Sequence, residues 1–232
     1  MYSLDIIHAR KRHAFKRAYN HKARKMNQIR PVITLLLGLF ILITSSNAAF
    51  ANIEDALRAI DKRQWDTAYQ QAARLTSPLE KDIFNWHAFT QKDPRVSFAT
   101  VASFLERNPD WPSQIRIQAL AEQKISYNTP ASEVINFFGK NEPVTADGMM
   151  VYARALLSLG QTSKLKAVIN DWWVDADIDR NEQQKVYSLY SGFITSAAHI
   201  KRLKIIMLEG EYSNAQGIAS VLGGGYPALI EA

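Results

Sequence analysis

The 232-residue chain contains no cysteine, which excludes a disulfide framework, any thiolate metal site and a lipid-modified N-terminal cysteine. Histidine is almost as scarce where it would matter. Beyond residue 52 only His87 and His199 occur, too far apart in sequence for zinc-ligand spacing. There is no G-x-S-x-G segment, no phosphate-binding loop and no dinucleotide fingerprint. The run "DADID" (Asp175, Asp177, Asp179) opens like a calcium loop, but Arg180 stands where glycine is required and Val186 where the closing carboxylate belongs. It reads as a solvated acidic corner. A glycosidase pair of carboxylates could lie far apart along the chain, yet no acidic residue is singled out for it. No catalytic residue, metal ligand or cofactor is therefore expected from the residues themselves.

Long apolar runs are also missing. Val32 to Thr44, "VITLLLGLFILIT", is thirteen residues without a charge, short of the ~20 that a membrane span needs. A basic stretch precedes it and small residues, Ala49 and Ala51, follow it. That order of basic, apolar and small residues is the pattern of a secretory signal peptide. Residues 1–51 are accordingly expected to be a signal peptide cleaved after Ala51, with Met26 an alternative start, and the protein is expected in the periplasm without a stable membrane anchor. An uncleaved anchor is the alternative.

The formal charge of +6 and a pI near 9.4 would suggest nucleic acid were the charge spread over a surface. It is not. Nine Lys or Arg against Asp5 alone give residues 1–30 a balance of +8, leaving −2 for the other 202 residues. No nucleic-acid partner is expected once the front segment is removed.

What is present is helical periodicity. With 47% hydrophobic and 22% charged residues, the chain from Asn52 can build a core. Proline and glycine cut it into helix-sized pieces, and apolar residues recur at spacings of 3 and 4, as in Ala153, Leu156, Leu157 and in Val186, Leu189, Tyr190, Phe193. "SPLE" places Ser77 as an N-cap, Pro78 at the first helical position and Glu80 in a capping box, and Asp93-Pro94 reads as the same device. No sustained period-2 run occurs. Residues 52–232 are expected to be all-α, about ten short helices joined by short corners. The segments 64–72, 161–169 and 211–219 share a spacing, with Ala68, Leu165 or Ala215 followed four places on by Ala72, Ile169 or Ala219, and aromatics Trp65 and Tyr212 ahead of two of them. Small residues on one face let helix pairs stack, so the expected architecture is an irregular α-superhelix, a solenoid of short helical hairpins.

"RNPDWPSQIRIQALAE" (Arg107 to Glu122) brackets a tryptophan with two prolines. Asn108 before Pro109 stops one helix, and Pro112 suits the first turn of the next. Pro109, Asp110, Trp111 and Pro112 thus read as a structural corner rather than as an extended Pro-x-x-Pro ligand. Trp65, Trp86 and Trp111 are expected in helix seams. Trp172 and Trp173 are adjacent, and neighbours on a helix point about 100° apart, so one of the two is expected at the surface or an interface, where sugar stacking is open to it. His199 and Arg202 lie one turn apart on a shared face. Either they contact a glycan or another domain, or they form a polar pair that steadies the helix, which is the plainer reading. His199, Arg202, Trp172 and Trp173 are the candidate binding residues.

"FLERNPDWPSQIRIQALAEQKI" (Phe104 to Ile125) resembles the Phe-Leu-x-x-x-Pro-Asp-Trp-Pro segment and following Ala-Glu helix of soluble lytic murein transglycosylases. "ITSAAHIKRLKIIMLEGEYSNAQGIASVL" (Ile194 to Leu222) is similar to that family's His-x-x-Arg-Leu helix, glycine-containing turn and alanine-rich helix, and "YPALIEA" (Tyr226 to Ala232) to the start of its next helix. The resemblance runs from Ile53 to the end. It implies a U-shaped or ring-like superhelix, followed in the family by a goose-lysozyme-like domain. There one glutamate, acting as acid and then base, cleaves between N-acetylmuramic acid and N-acetylglucosamine to leave a 1,6-anhydro sugar. The Glu-Ser and Gly-Leu-Met-Gln motifs of that domain are absent here, so the resemblance transfers no catalytic residue. It implies a superhelical domain truncated at its C-terminal end and inactive alone, with peptidoglycan glycan strands and the catalytic domain of the same parent chain as partners. A standalone periplasmic helical-repeat scaffold that binds protein partners is the alternative.

Overall fold

The structure, a computed structural model, describes residues 47–231, with side chains described from Ile53 onward. The expected signal segment therefore lies outside the described residues except for the backbone of residues 47–51, which is helical. Among the described residues no helix is long and apolar enough to cross a membrane.

The described chain is all-α, without a strand. Helices α1 (Asn47–Asp61), α2 (Trp65–Ala72), α3 (Pro78–Thr90), α4 (Phe98–Arg107), α5 (Gln114–Lys124) and α6 (Ala131–Lys140) are followed by α7 (Ala146–Ser158), α8 (Thr162–Asp175) and α9 (Arg180–Tyr190). A 3₁₀ turn, Ser191–Phe193, leads to α10 (Ser196–Leu208), α11 (Tyr212–Leu222) and α12 (Tyr226–Glu231).

The starts of these helices follow local chemistry. The Ser77 hydroxyl accepts the Glu80 N–H at 3.5 Å with Pro78 at the first helical position, satisfying an amide that the helix itself cannot. Ser97, Thr145 and Thr195 cap α4, α7 and α10 in the same way. Asp179, in the acidic run, completes a reciprocal capping box with Glu182. Two expected starts are displaced. Asp93 does not cap a helix; its buried carboxylate accepts the Arg95 N–H at 2.9 Å and the Tyr69 hydroxyl, forming a turn, and α4 begins only after Ser97. Pro112 is not in the first helical turn either, because Ser113 follows it at φ +68 and α5 starts at Gln114.

The segments 64–72, 161–169 and 211–219 each follow one type of turn, which Lys92 (φ 59) also makes at the end of α3, where the Asp93 N–H reaches the Ala88 carbonyl at 3.1 Å. Arg63, Gly160 and Gly210 adopt left-handed backbone at φ 56, 69 and 75. The next amide then reaches back into the preceding helix: Gln64 N–H to the Ala59 carbonyl (2.8 Å), Gln161 to Leu156 (2.8 Å), Glu211 to Ile206 (2.9 Å). These bonds occupy carbonyls that a helix end leaves open. After the turn α8 packs back on α7 and α11 on α10, and Ala68, Leu165, Ile169, Ala215 and Ala219 are fully buried. Extensive helix contacts join elements one or two apart along the chain, among them α3 with α5, α5 with α7, α7 with α9, α8 with α10 and α9 with α11. One continuous apolar core joins these helices.

Candidate functional site

The chain concentrates its buried polar chemistry where α8, α9 and α10 meet. Apolar spacing turns one face of α8 inward and carries Trp173 with it, fully buried; the facing side of α10 contributes His199 (4% exposed) and Arg202 (1%). The Trp173 indole N–H donates to His199 Nδ1 at 3.1 Å with the rings edge to face, and the Tyr187 ring of α9 also packs against the imidazole, centroids 5.5 Å apart. Arg202 Nη1 donates to the Trp173 and Ala176 carbonyls, both at 2.8 Å, and Nε donates to Gln183 Oε1 at 3.0 Å. Those carbonyls terminate α8, so a cation there satisfies acceptors that the helix leaves open and complements its dipole.

The electrostatics follow from burial. Desolvation lowers the Arg202 pKa to about 10, opposed by Glu211, Asp177, Glu209 and Asp175, in that order, so the guanidinium remains charged near neutrality. His199 is pushed below the ordinary histidine value, first by burial and then by Arg202. Arg202 Nη2 is buried without a hydrogen-bond partner.

Three of the four candidate binding residues are thus brought together, but facing inward. His199 and Arg202 share a face as expected, yet they do not form a polar pair with each other: each is engaged by groups from neighbouring helices. Trp173 is the member of the tryptophan pair in the core. Trp172 is half-buried and donates its indole N–H to the Pro143 carbonyl at 2.8 Å, tying α8 to the chain before α7.

The corner is a separate structure. Pro109, Asp110 and Pro112 are exposed, while Trp111 is half-buried against Phe104, centroids 5.7 Å apart, and Trp86, 6.5 Å apart. The Trp86 indole donates to the Pro112 carbonyl at 2.9 Å, and Gln114 Nε2 donates to the Asn108 and Trp111 carbonyls at 2.7 and 3.0 Å. The bend is held by side chains on both sides of it.

Two further polar residues are ones that sequence reasoning missed. Glu122 on α5 is 2% exposed. Its carboxylate accepts the Gln118 amide (3.0 Å), the Val144 N–H (2.9 Å), the Thr145 N–H (2.9 Å) and the Thr145 hydroxyl (2.5 Å). Burial raises its pKa against the pull of those four bonds. Asn170 on α8 repeats the device three helices later, its Oδ1 accepting the Thr195 N–H and hydroxyl, each at 2.8 Å. In both cases a polar side chain holds the threonine that caps the helix two positions on. The available signal was the Thr-x-x-Gly spacing of Thr145 and Gly148. Gly148 leaves room for the carboxylate, since a Cβ there would stand 2.2 Å from Glu122 Oε2.

Among the described residues no group of three or more histidine and acidic side chains is placed to hold a metal ion. The buried polar groups act on the protein's own backbone, fixing how each helix meets its neighbours. Comparison with family models, with curated proteins and with solved structures gives no match.

Proposed function

We propose that the chain is the non-catalytic, superhelical N-terminal part of a periplasmic lytic transglycosylase, serving peptidoglycan cleavage by shape rather than by chemistry. The observation that carries this reading is a coincidence of position. The two segments that resemble the family supply the two most elaborated junctions: Phe104 to Ile125 forms the α4–α5 corner and carries Glu122, and Ile194 to Leu222 carries His199, Arg202 and the α10–α11 hairpin. A segment whose residues set the angle between helices is suited to an extended scaffold. The arrangement of contacts, each helix with those one or two away, supports an irregular solenoid, in which stability comes from nearest-neighbour interfaces. The N-terminal order of basic, apolar and small residues supports export.

On this reading the superhelix guides a glycan strand toward a catalytic domain on the same parent chain. The test is co-sedimentation of the purified chain with insoluble peptidoglycan, together with an immunoblot of a periplasmic extract using antibody against the chain. Retention in the pellet and a native band larger by a domain are the expected results. A chain that stays in the supernatant, or is confined to the cytoplasmic fraction, overturns the proposal.

A further inference from the structure

An indole N–H can only donate. Because Trp173 donates to His199 Nδ1, that nitrogen must carry a lone pair, and the neutral ring carries its proton on Nε2. The nitrogen at which a second proton would add is therefore already occupied as an acceptor. A proton arriving from the medium can bind Nδ1 only if the Trp173 N–H leaves, and the imidazolium then lies beside the buried Arg202 guanidinium.

The groups that meet His199 are the Trp173 indole of α8, the Tyr187 ring of α9 and, one turn along α10, Arg202. Gln183 of α9 and the carboxylates of Asp175, Asp177, Glu209 and Glu211 meet or act on Arg202 rather than on the imidazole. The charge that acts on His199 is that of Arg202. The four carboxylates act on Arg202, which their combined charge helps to keep protonated.

We propose that His199 is an acid-sensitive latch on the α8–α10 seam: proton uptake at Nδ1 breaks its bond to the Trp173 indole and sets two cations side by side, so the seam loosens as the medium acidifies. The sign agrees with linkage. A histidine held below its ordinary value of 6.5 binds fewer protons folded than unfolded. Its contribution is fully present above that value and is lost as the pH falls through the lowered one. The seam's second fastening, Arg202 on the Trp173 and Ala176 carbonyls, lies on the same turn of α8, so repulsion at His199 works directly on it. The latch is independent of whether the chain binds peptidoglycan.

The test follows the histidine ring protons of the full chain by NMR from about pH 8 to about pH 5, across the ordinary histidine range, alongside near-ultraviolet circular dichroism. His199 is expected to titrate below the ordinary histidine value, with the tryptophan signal changing in step. His199→Asn places an amide oxygen near the Nδ1 position, and its near-ultraviolet signal should stay flat over that interval. Trp173→Phe frees Nδ1, so His199 should titrate at higher pH than in the parent. Titration of His199 at or above the ordinary value, or a pH-dependent signal in His199→Asn equal to the parent's, overturns the latch.

Discussion

Replacing Gly148 by alanine should lower stability in the parent chain and raise it once Glu122 has been removed. In an ordinary helix the change to alanine gains up to ~1 kcal/mol. Here the new methyl would meet Glu122 Oε2 at 2.2 Å. A free carboxylate would swing aside, but this one is pinned by four donors. Displacing Oε2 releases the Thr145 N–H and hydroxyl, and each unsatisfied group costs about 1–3 kcal/mol. The net loss expected is about 2–4 kcal/mol, or roughly 5–15 °C in the midpoint of thermal unfolding for a chain of this size. In Glu122→Ala the obstacle is absent, and adding Gly148→Ala should then restore up to ~1 kcal/mol. The assay is thermal and urea unfolding followed by far-ultraviolet circular dichroism on all four members of the cycle. If Gly148→Ala is neutral or stabilising in the parent, the carboxylate does not hold α7 as described.

Glu122→Gln should cost about 1–3 kcal/mol in the same assay, because its amide must point a donor at another donor, the Val144 N–H or the Thr145 pair. Arg202→Met should destabilise by about 1–3 kcal/mol for each buried acceptor it leaves unpaired, the carbonyls of Trp173 and Ala176, and amide exchange should accelerate first in residues 173–178. Trp86→Phe keeps most of the packing but removes the bond to the Pro112 carbonyl, for a loss of about 0.5–1.5 kcal/mol in urea unfolding.

The helices were legible because their causes are local. Ser77 with Pro78 fixed a start within four residues, and the shared spacing at 161–169 and 211–219 marked helices that pack back on their predecessors after a single left-handed residue. The rule that neighbours diverge by about 100° did not say which tryptophan turns inward, and Trp172 is half-buried against the core rather than exposed. The errors have a common origin. Asp93-Pro94 has the composition of a helix start, but Tyr69, 24 residues earlier, takes one carboxylate oxygen and buries it. His199 and Arg202 looked like partners for each other because only α10 was in view, whereas their bonding atoms belong to α8 and α9. Glu122 and Asn170 were missed for the same reason: the Thr145-x-x-Gly148 spacing marks a cap, but a polar residue on a packed face has meaning only when the helix two positions on is in register with it.

That closeness along the chain bears on how the molecule comes into being. The farthest side-chain bond described, from the Tyr190 hydroxyl to the Met150 carbonyl, spans 40 residues, and the polar clamps span 22 to 31. Among the described residues no side-chain bond waits for a distant segment, so little loop-closure entropy is spent before these contacts form. A chain emerging residue by residue can complete each junction soon after its second helix appears, which lets assembly proceed as a growing front rather than as a single collapse.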